Sequence, residues 1–327
     1  MSGLGLRLQR IWYDGERVPF WLSALVPVYR ALRWLHLATY RLGLRRSVRV
    51  GAPVIVVGNL TAGGSGKTPL VIALVEALRA RGFKPGIVSR GYGGSQRTAA
   101  VLDEAADPRR FGDEPCLMRR RTGAPVAVGK DRARAAELLV RQGANVVIAD
   151  DGLQNPSLVR DIEICVIDGQ RRFGNEMLLP AGPLREPLDR LAEIDFRVCN
   201  GVGAERGEIG MRLGGEIAVA VDGATRTRPL ASFAKQRIHA VAAIGNPTRF
   251  FAGLQARGID VVPHPFPDHH PFVAADLEFG DRLPVLMTEK DAIKCVGFAG
   301  AHVWCVPVSA VLPPAFVDTL VARLRPR

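Results

Sequence analysis

The stretch from Pro53 to Arg81 constrains the fold most, because its residues follow the order strand, glycine-rich turn and helix. Val54–Val57 are apolar and typical of a buried strand, and Gly58–Gly66 form a turn rich in glycine. Lys67 and Thr68 then open an amphipathic pattern that indicates a helix. This order predicts a phosphate-binding P-loop, in which successive backbone N–H groups and the helix N-terminus face an anion.

The residues of this loop have separate predicted roles. The Lys67 ammonium can reach the β- and γ-phosphates of a nucleoside triphosphate, and the Thr68 hydroxyl would bind Mg²⁺. The usual pattern G-x-x-x-x-G-K-[ST] has glycine where this chain has Thr61, so the loop is a variant. The predicted nucleotide-binding residues are Thr61, Ala62, Gly63, Gly64, Ser65, Gly66, Lys67 and Thr68. A turn that merely joins a strand to a helix is the alternative.

Two carboxylates follow a second apolar segment, which begins at Asn145. The strand ends in Asp150 and Asp151, which is the form of a Walker B segment, and one of the two would hold Mg²⁺ opposite Thr68. Asp-Gly is also a favoured turn pair, so a solvated turn remains the alternative.

The remaining patterns predict an α/β fold: a P-loop NTPase-like core with a mostly parallel sheet and a smaller C-terminal α/β domain. Residues 95–123 are polar, and no regular element is predicted there. Predicted strands in the core include Pro85–Ser89, Val126–Val128 and Ile162–Asp168, with a helix at Asp131–Arg141. The predicted domains are an N-terminal segment at 1–50, the P-loop core at 51–200, a linker and β-rich segment at 201–235, and the smaller domain at 236–327.

The N-terminal segment is basic and aromatic. Residues 1–50 carry nine arginines and two acids, and they hold three of the four tryptophans of a chain whose formal charge is +12. Tryptophan suits the headgroup level of a bilayer and arginine suits anionic lipid, so Pro19–Arg46 predicts a membrane-associating helix pair that Pro27 breaks or kinks. A helical hairpin packed on the protein's own core is the alternative.

The net charge and the cysteines indicate the kind of partner and the redox compartment of this protein. A charge of +12 fits an anionic partner, but arginines that alternate with tryptophan and leucine argue against a nucleic-acid arm. The uncharged run Val18–Tyr29 is shorter than the roughly 18 residues that a membrane span needs, so no transmembrane helix is predicted. Five cysteines without CxxC spacing predict free thiols in a reducing compartment.

Taken in order, these motifs resemble the tetraacyldisaccharide 4′-kinases of lipid A biosynthesis. The resemblance covers nearly the whole chain and includes the variant Thr61. The matching blocks are VGNLTAGGSGKTP (57–69), SRGYGG (89–94), GDEP (112–115), VGKDR (128–132), ADDGLQ (149–154), LPAGPLREP (179–187), IGNP (244–247), FPDHH (266–270) and MTEKDAIK (287–294).

The resemblance implies an ATP- and Mg²⁺-dependent kinase that phosphorylates the 4′-hydroxyl of a disaccharide 1-phosphate bearing four acyl chains. It implies a peripheral or monotopic protein at the cytoplasmic face of the bacterial inner membrane. The expected partners are this lipid and an anionic membrane surface, with no nucleic acid and no obligate protein partner. A P-loop switch or metallochaperone is the alternative, although Thr288-Glu-Lys-Asp291 lacks the spacing of a guanine-binding segment.

The resemblance also implies roles for single residues. Asp113 matches the family's catalytic carboxylate, a general base for the sugar hydroxyl, and His269 matches the histidine that works with it, with His270 as the adjacent rival. Glu114 would assist at Mg²⁺ and Arg185 would neutralise phosphate. Lys67 would act on the transferred phosphate, and the smaller domain would bring His269 across a cleft that closes over the nucleotide. Asn155 stands where the family often has histidine, and an amide cannot carry a proton.

Overall fold

The computed structural model of this chain describes residues 3–324, which form two sheets with helices around them. The helices are α1 (Gly3–Tyr13), α2 (Phe20–Arg41), α3 (Lys67–Arg79), α4 (Pro108–Phe111), α5 (Asp113–Thr122), α6 (Arg132–Arg141), α7 (Pro247–Gln255), α8 (Glu289–Ala292) and α9 (Pro314–Leu324). The strands are β1 (Val54–Gly58), β2 (Pro85–Ser89), β3 (Ala100–Val101), β4 (Val126–Val128), β5 (Val146–Asp150), β6 (Ile162–Asp168), β7 (Phe196–Asn200), β8 (Glu208–Gly214), β9 (Ile217–Ala220), β10 (Thr227–Pro229), β11 (Arg237–Ala242), β12 (Asp260–Pro265), β13 (Val285–Thr288), β14 (Val303–Val306) and β15 (Ser309–Val311).

The first sheet carries the P-loop strand near its centre. In the described residues its strand order is β15-β8-β7-β6-β1-β5-β2-β4-β3, and all neighbours run parallel except the two edge pairs. Strand β1 is buried along its whole length, which explains its unbroken apolar sequence. Because the strands around β1 are parallel, the residues that follow β1, β2 and β5 lie along one edge of the sheet.

Apolar side chains cover both faces of this sheet. On one face Leu70, Leu74 and Leu78 of α3 are fully buried against the strands, and α9 packs on the same side. On the other face α6 supplies a stripe of buried alanines and Leu139. The five cysteines, all within the described residues, are buried free thiols.

The second sheet is smaller. In the described residues its order is β10-β9-β14-β13-β11-β12, with parallel pairing from β14 to β12 and antiparallel pairing at β9 and β10. Phe233, Ile238 and Leu286 lie in its core, and α7 covers one face. The α/β class with a mostly parallel core and a second α/β unit therefore agrees with the prediction.

Strand pairing divides the chain at different points from the predicted boundaries. Strand β8 pairs with β7 in the first sheet, although its residues lie in the predicted 201–235 linker. Strand β15 then returns from the second unit to pair with β8, and α9 packs under the first sheet, where Phe316 contacts the edge of the Phe196 ring. The chain therefore passes between the two units twice, because the edge of the first sheet is completed by residues from the C-terminus.

Two local expectations are wrong. Residues 95–123, expected to be irregular, contain α4 and α5. Helix α5 shows little periodicity in its sequence because arginines fill its last turn. Gly112 precedes the helix and Gly123 follows it, and both have a positive φ. The stretch Pro19–Arg46 forms one 22-residue helix, not a pair, and it continues through Pro27. The helix lacks one backbone hydrogen bond there, because proline has no N–H to donate. No helix in the described range 3–324 is long and apolar enough to cross a membrane.

Candidate active site

A cleft of about 1600 Å³ runs along the edge of the first sheet where its parallel strands end. Its floor is the P-loop and the residues that follow β2 and β5. Its opposite wall comes from the second unit and includes Gly245, His269 and Lys290. The cleft therefore lies between the two sheets.

The P-loop depends on a glycine at position 66. Gly66 has a φ of 97°, and a Cβ there would lie 2.4 Å from Asn200 Nδ2, which donates a hydrogen bond to the Ser65 carbonyl. By contrast, Cβ atoms built on Gly63 and Gly64 would meet no atom within 4 Å, so this side of the loop is open to the cleft. The buried Ser65 hydroxyl has no hydrogen-bond partner among the described residues.

Six of the eight predicted nucleotide-binding residues, Gly63 to Thr68, line the cleft. Thr61 and Ala62 are instead bound to the segment before Arg185: Thr61 pairs with Leu184 in a β-bridge, and the Ala62 N–H donates to the Pro183 carbonyl at 2.7 Å. Position 61 therefore belongs to a β-bridge rather than to the open part of the loop. The Lys67 ammonium lies 3.1 Å from Asn59 Oδ1 and 3.4 Å from Asp151 Oδ1.

The two adjacent aspartates have opposite surroundings. Asp150, at the end of β5, is buried; Ser89 donates to its Oδ2 at 3.3 Å, and its Oδ1 has no partner among the described residues. Burial, together with the nearby carboxylates of Glu114 and Asp151, raises the pKa of Asp150 to about 7. Asp151 turns away from it with a φ of 49°. Burial opposes its ionisation, but Lys67 and Arg185 outweigh burial and lower the pKa of Asp151 to about 2.

Arginines hold this turn from two sides. Arg185 Nη1 lies 3.1 Å from both carboxylate oxygens of Asp151. The buried Arg132 guanidinium donates to the backbone carbonyls of Asp150 and Asp151 at 2.8 and 3.1 Å. Arg132 thus fixes the backbone, whereas Arg185 faces the cleft and the carboxylate.

The structure brings Asp113 and His269 together across the two units. Asp113 is the first residue of α5 and not part of a loop, and His269 Nδ1 donates to its Oδ2 at 3.1 Å. Lys294 Nζ lies 3.5 Å from the same oxygen. Burial opposes the ionisation of Asp113, but the hydrogen bond from His269 and the charge of Lys294 lower its pKa. The rival His270 instead contacts Asp276, at 2.9 Å.

Two lysines that the sequence analysis did not assign reach this pair. Lys290 Nζ lies 3.0 Å from Glu114 Oε1 and 3.5 Å from His269 Nε2. Burial opposes the ionisation of Glu114, and the charge of Lys290 lowers its pKa nevertheless. Lys290 and Lys294 lie in the MTEKDAIK block, and their spacing of four residues next to a strand end was the available signal. Asp291 between them is buried and accepts from Ala243 N and the Thr288 hydroxyl, so it has a structural role.

The residues predicted for Mg²⁺ fit a magnesium ion by their chemistry, although no group of three or more acidic, cysteine or histidine side chains in residues 3–324 forms a ready metal site. The predicted set is Thr68, Asp150, Asp151 and Glu114, and all four line the cleft. Hydroxyl and carboxylate oxygens are the donors that Mg²⁺ prefers. The buried Asp150 Oδ1 atom has no hydrogen-bond partner among the described residues. A bound cation would compensate for the energetic cost of burying it.

Asn155 takes part in a turn. Its side-chain oxygen accepts from Ser157 N at 2.9 Å, and its carbonyl accepts from Arg160. The amide therefore holds the chain after the Asp150–Asp151 turn, and this contact involves no proton transfer.

Comparisons with known proteins identify the family. A family model described as LpxK, tetraacyldisaccharide-1-P 4′-kinase, matches residues 18–325. The chain belongs to this family. It is 52% identical over 337 residues to the tetraacyldisaccharide 4′-kinase of Xanthomonas euvesicatoria pv. vesicatoria, with 99% of this chain and 97% of that protein covered. The enzyme of Stenotrophomonas maltophilia is 49% identical, with 99% and 98% covered.

A solved structure of the family has the same fold. The crystal structure of an "apo" form of LpxK from Aquifex aeolicus in complex with ATP matches with a TM-score of 0.75 and 27% identity, covering 93% of this chain and 99% of that one. The predicted family, the α/β fold and the kinase activity are thereby confirmed. This chain is a kinase of lipid A biosynthesis, and the alternative of a P-loop switch or metallochaperone is not supported.

Proposed function

We propose that this kinase transfers the γ-phosphate of ATP to the 4′-hydroxyl of a tetraacyldisaccharide 1-phosphate, with Asp113 as the general base. The observation that carries the proposal is the 3.1 Å hydrogen bond to the buried Asp113 from His269, which lines the cleft whose floor is the P-loop. A carboxylate at that place can accept the proton of a bound sugar hydroxyl. The ATP bound to the relative from Aquifex aeolicus supports ATP as the donor.

Residues of the first sheet would hold Mg²⁺-ATP. The open N–H groups of Gly63 to Gly66 and the start of α3 would bind the phosphates, and Thr68, Asp150, Asp151 and Glu114 would hold Mg²⁺. Bound Mg²⁺ supplies neutralisation of phosphate charge. Lys67 and Arg185 both contact Asp151 here. During transfer they would also stabilise the negative charge on the phosphoryl group.

His269 and Lys290 would hold the base in place. The Asp113 carboxylate accepts only, so His269 Nδ1 carries the hydrogen. Lys290 donates only and approaches His269 Nε2, which therefore serves as an acceptor. These two contacts favour one tautomer and one ring orientation, and Tyr92 packs against the ring with 5.1 Å between centroids. The ring orientation and the hydrogen bond would keep Asp113 ionised and fixed beside His269, which lines the cleft.

Helix α2 has an exposed apolar face, and this face supports a membrane-bound acceptor. Its inner face packs on the protein through Leu22, which is buried, and through Tyr29. Its outer face leaves large apolar side chains exposed: Phe20, Trp21, Leu25, Val28, Leu32, Trp34 and Leu35. Exposed arginines follow them, among them Arg41, Arg45 and Arg46. Apolar and aromatic residues beside arginine suit an anionic lipid surface. We propose a peripheral or monotopic protein at the cytoplasmic face of the inner membrane, as the family resemblance implies; the exposed face of α2 supports the membrane contact.

Transfer of labelled phosphate tests the proposal. Purified enzyme with γ-³²P-ATP, Mg²⁺ and a lipid A disaccharide precursor in mixed micelles should yield labelled lipid, with little hydrolysis of ATP when the lipid is left out. GTP in place of ATP, and acceptor already phosphorylated at the 4′-position, are the controls. Hydrolysis of ATP at the same rate with and without lipid, and no labelled lipid, would refute it.

A further inference from the structure

Helix α2 contacts the segment that carries Arg185 through two side chains of its inner face. The Tyr29 hydroxyl donates to the Arg185 carbonyl at 2.9 Å, and Arg33 Nη2 donates to Glu186 Oε2 at 2.6 Å. Tyr29 and Arg33 are four residues apart and thus lie on the same face of the helix. The helix with the exposed apolar face therefore rests directly on a residue of the phosphate site.

Glu186 is a buried charge with a defined set of partners. Its side chain is 3% exposed, and it contacts Arg33 and, at 3.6 Å, Arg190 Nε. Its second oxygen, Oε1, accepts from Gln154 Nε2 at 2.8 Å. A buried carboxylate needs such partners, because an unpaired one would cost several kcal/mol. Arg33 thus supplies one of the two cations that compensate Glu186.

Glu186 fixes the orientation of the Gln154 amide. Gln154 Nε2 donates both to Glu186 and, at 3.0 Å, to the Asn59 carbonyl, and both of these oxygens can only accept. The amide nitrogen must therefore face them. The amide oxygen then faces Arg185 Nη1, at 3.4 Å.

The same contacts continue to the P-loop lysine. Arg185 Nη1 lies 3.1 Å from Asp151, and Asp151 lies 3.4 Å from Lys67 Nζ. Asn59, whose carbonyl accepts from Gln154, also accepts from Lys67 through its side chain. A continuous chain of donors and acceptors therefore joins α2 to the lysine that would contact the transferred phosphate.

We infer that Arg33 and Glu186 are positioning residues for phosphoryl transfer, through which the seating of α2 sets the orientation of Arg185 beside Lys67. The inference rests on the proposed function for the roles of Arg185 and Lys67. It makes α2 part of the catalytic apparatus as well as a proposed surface for lipid, because Tyr29 and Arg33 contact the segment that carries Arg185.

Arg33→Met and Arg30→Met form a matched pair for the test. Each removes one positive charge from the same helix, one turn apart. The Arg30 side chain is exposed and has no hydrogen bond or ion pair within the described residues, whereas Arg33 contacts Glu186. If arginine charge acts only on lipid, both variants raise the KM for the lipid equally and leave kcat alone.

The inference predicts a different result for kcat. Arg33→Met should lower kcat by about tenfold and weaken binding of AMP-PNP measured without lipid, since even a displacement well below about 1 Å of a phosphate-binding group slows transfer. Arg30→Met should change kcat and AMP-PNP binding less than about twofold, as a surface substitution does. Arg33→Lys should restore part of kcat. Glu186→Gln should resemble Arg33→Met, and the double variant should be no worse than the worse single one, because the two residues act in one chain.

Several outcomes decide the matter. Equal kcat values for Arg33→Met and Arg30→Met, or a change only in the lipid KM, would overturn the inference and leave the kinase function intact. Additive losses in the double variant would also overturn it. Thermal unfolding of each variant shows whether Glu186→Gln is folded; if it is not, the comparison of Arg33→Met with Arg30→Met decides alone. Absence of transfer in the wild-type enzyme would refute the proposed function itself. This result is distinct from a difference between the variants.

Discussion

At the scale of residues, the site depends on neighbours in sequence that face different partners. Asp150 and Asp151 are adjacent, yet one is buried with an oxygen that has no partner among the described residues, and the other lies between Lys67 and Arg185. The positive φ of Asp151 is the cause, because it turns the second carboxylate towards the cations. The sequence alone left open which aspartate binds the metal, and we propose that they act together.

Asparagine at each of these positions tests that proposal. In EDTA, Asp151→Asn should lower the unfolding temperature, because Lys67 and Arg185 lose their carboxylate, whereas Asp150→Asn should change it little. Saturating Mg²⁺-ATP should raise the unfolding temperature of the wild-type enzyme by about 5 °C. Differential scanning fluorimetry would measure the unfolding temperature of the wild type and of both variants, in EDTA and with Mg²⁺-ATP. A full Mg²⁺-ATP shift in Asp150→Asn would contradict its role at the metal.

The two adjacent histidines provide a second test at this scale. His269→Ala should lower kcat by about a hundredfold, because Asp113 loses the group that orients it. His270→Ala is the control: it loses a contact with Asp276 but none with Asp113, and it should stay within about threefold of the wild-type kcat. Steady-state kinetics at saturating ATP measure both. Equal losses in the two variants would remove His269 from its proposed role.

At the scale of elements, helix α2 has two faces of different character. The apolar and arginine-rich pattern predicted a membrane surface, or else packing on the core; the inner face packs on the core, and the outer face leaves apolar side chains exposed. Deleting it would be an unclear test, because Ile11, Leu22 and Ala181 form a small core beneath it. Substitutions confined to the outer face avoid that problem.

Replacing Leu25, Val28 and Leu32 with serine should weaken binding to vesicles of phosphatidylethanolamine and phosphatidylglycerol by at least about tenfold. Each side chain loses on the order of 1.5 kcal/mol of apolar burial when it is kept out of the membrane. Val202→Ser and Val311→Ser are controls, because these valines are also exposed but lie far from α2 in sequence. Vesicle flotation measures the partitioning. Unchanged partitioning of the triple variant would contradict the membrane role of α2.

At the scale of the whole molecule, pairing between distant segments decides which sheet each strand joins. The buried parallel strands were predicted closely from apolar runs, and β2, β4 and β6 match residue for residue. The membership of β15 could not be predicted, because it depends on an antiparallel pair with β8, about 100 residues away in sequence. The same limit applied to the site: Lys67 and Asp150 belong to local motifs, whereas Lys290 and Lys294 contact Glu114 and Asp113 only when the second unit meets α5.

This topology makes a prediction about the C-terminus. Removing residues 309–327 should destabilise the first unit, since α9 covers α3 and Phe316 packs on Phe196. Hydrogen exchange should then speed up in α3 and β7, while β11 and β13 of the second unit keep most of their protection. The opposite pattern, with exchange raised mainly in the second sheet, would mean that the C-terminal segment stabilises the unit from which it emerges.

The central claim is that Asp113, held by His269, accepts the proton of the acceptor hydroxyl. The most direct measurement is the rate of ³²P transfer from ATP to the lipid precursor by Asp113→Asn, with ATP binding measured on the same preparation. The asparagine keeps the shape of the side chain but cannot accept a proton. We predict that transfer falls by about a thousandfold while ATP binding stays within about threefold of the wild type. Transfer at more than about a tenth of the wild-type rate would contradict the claim.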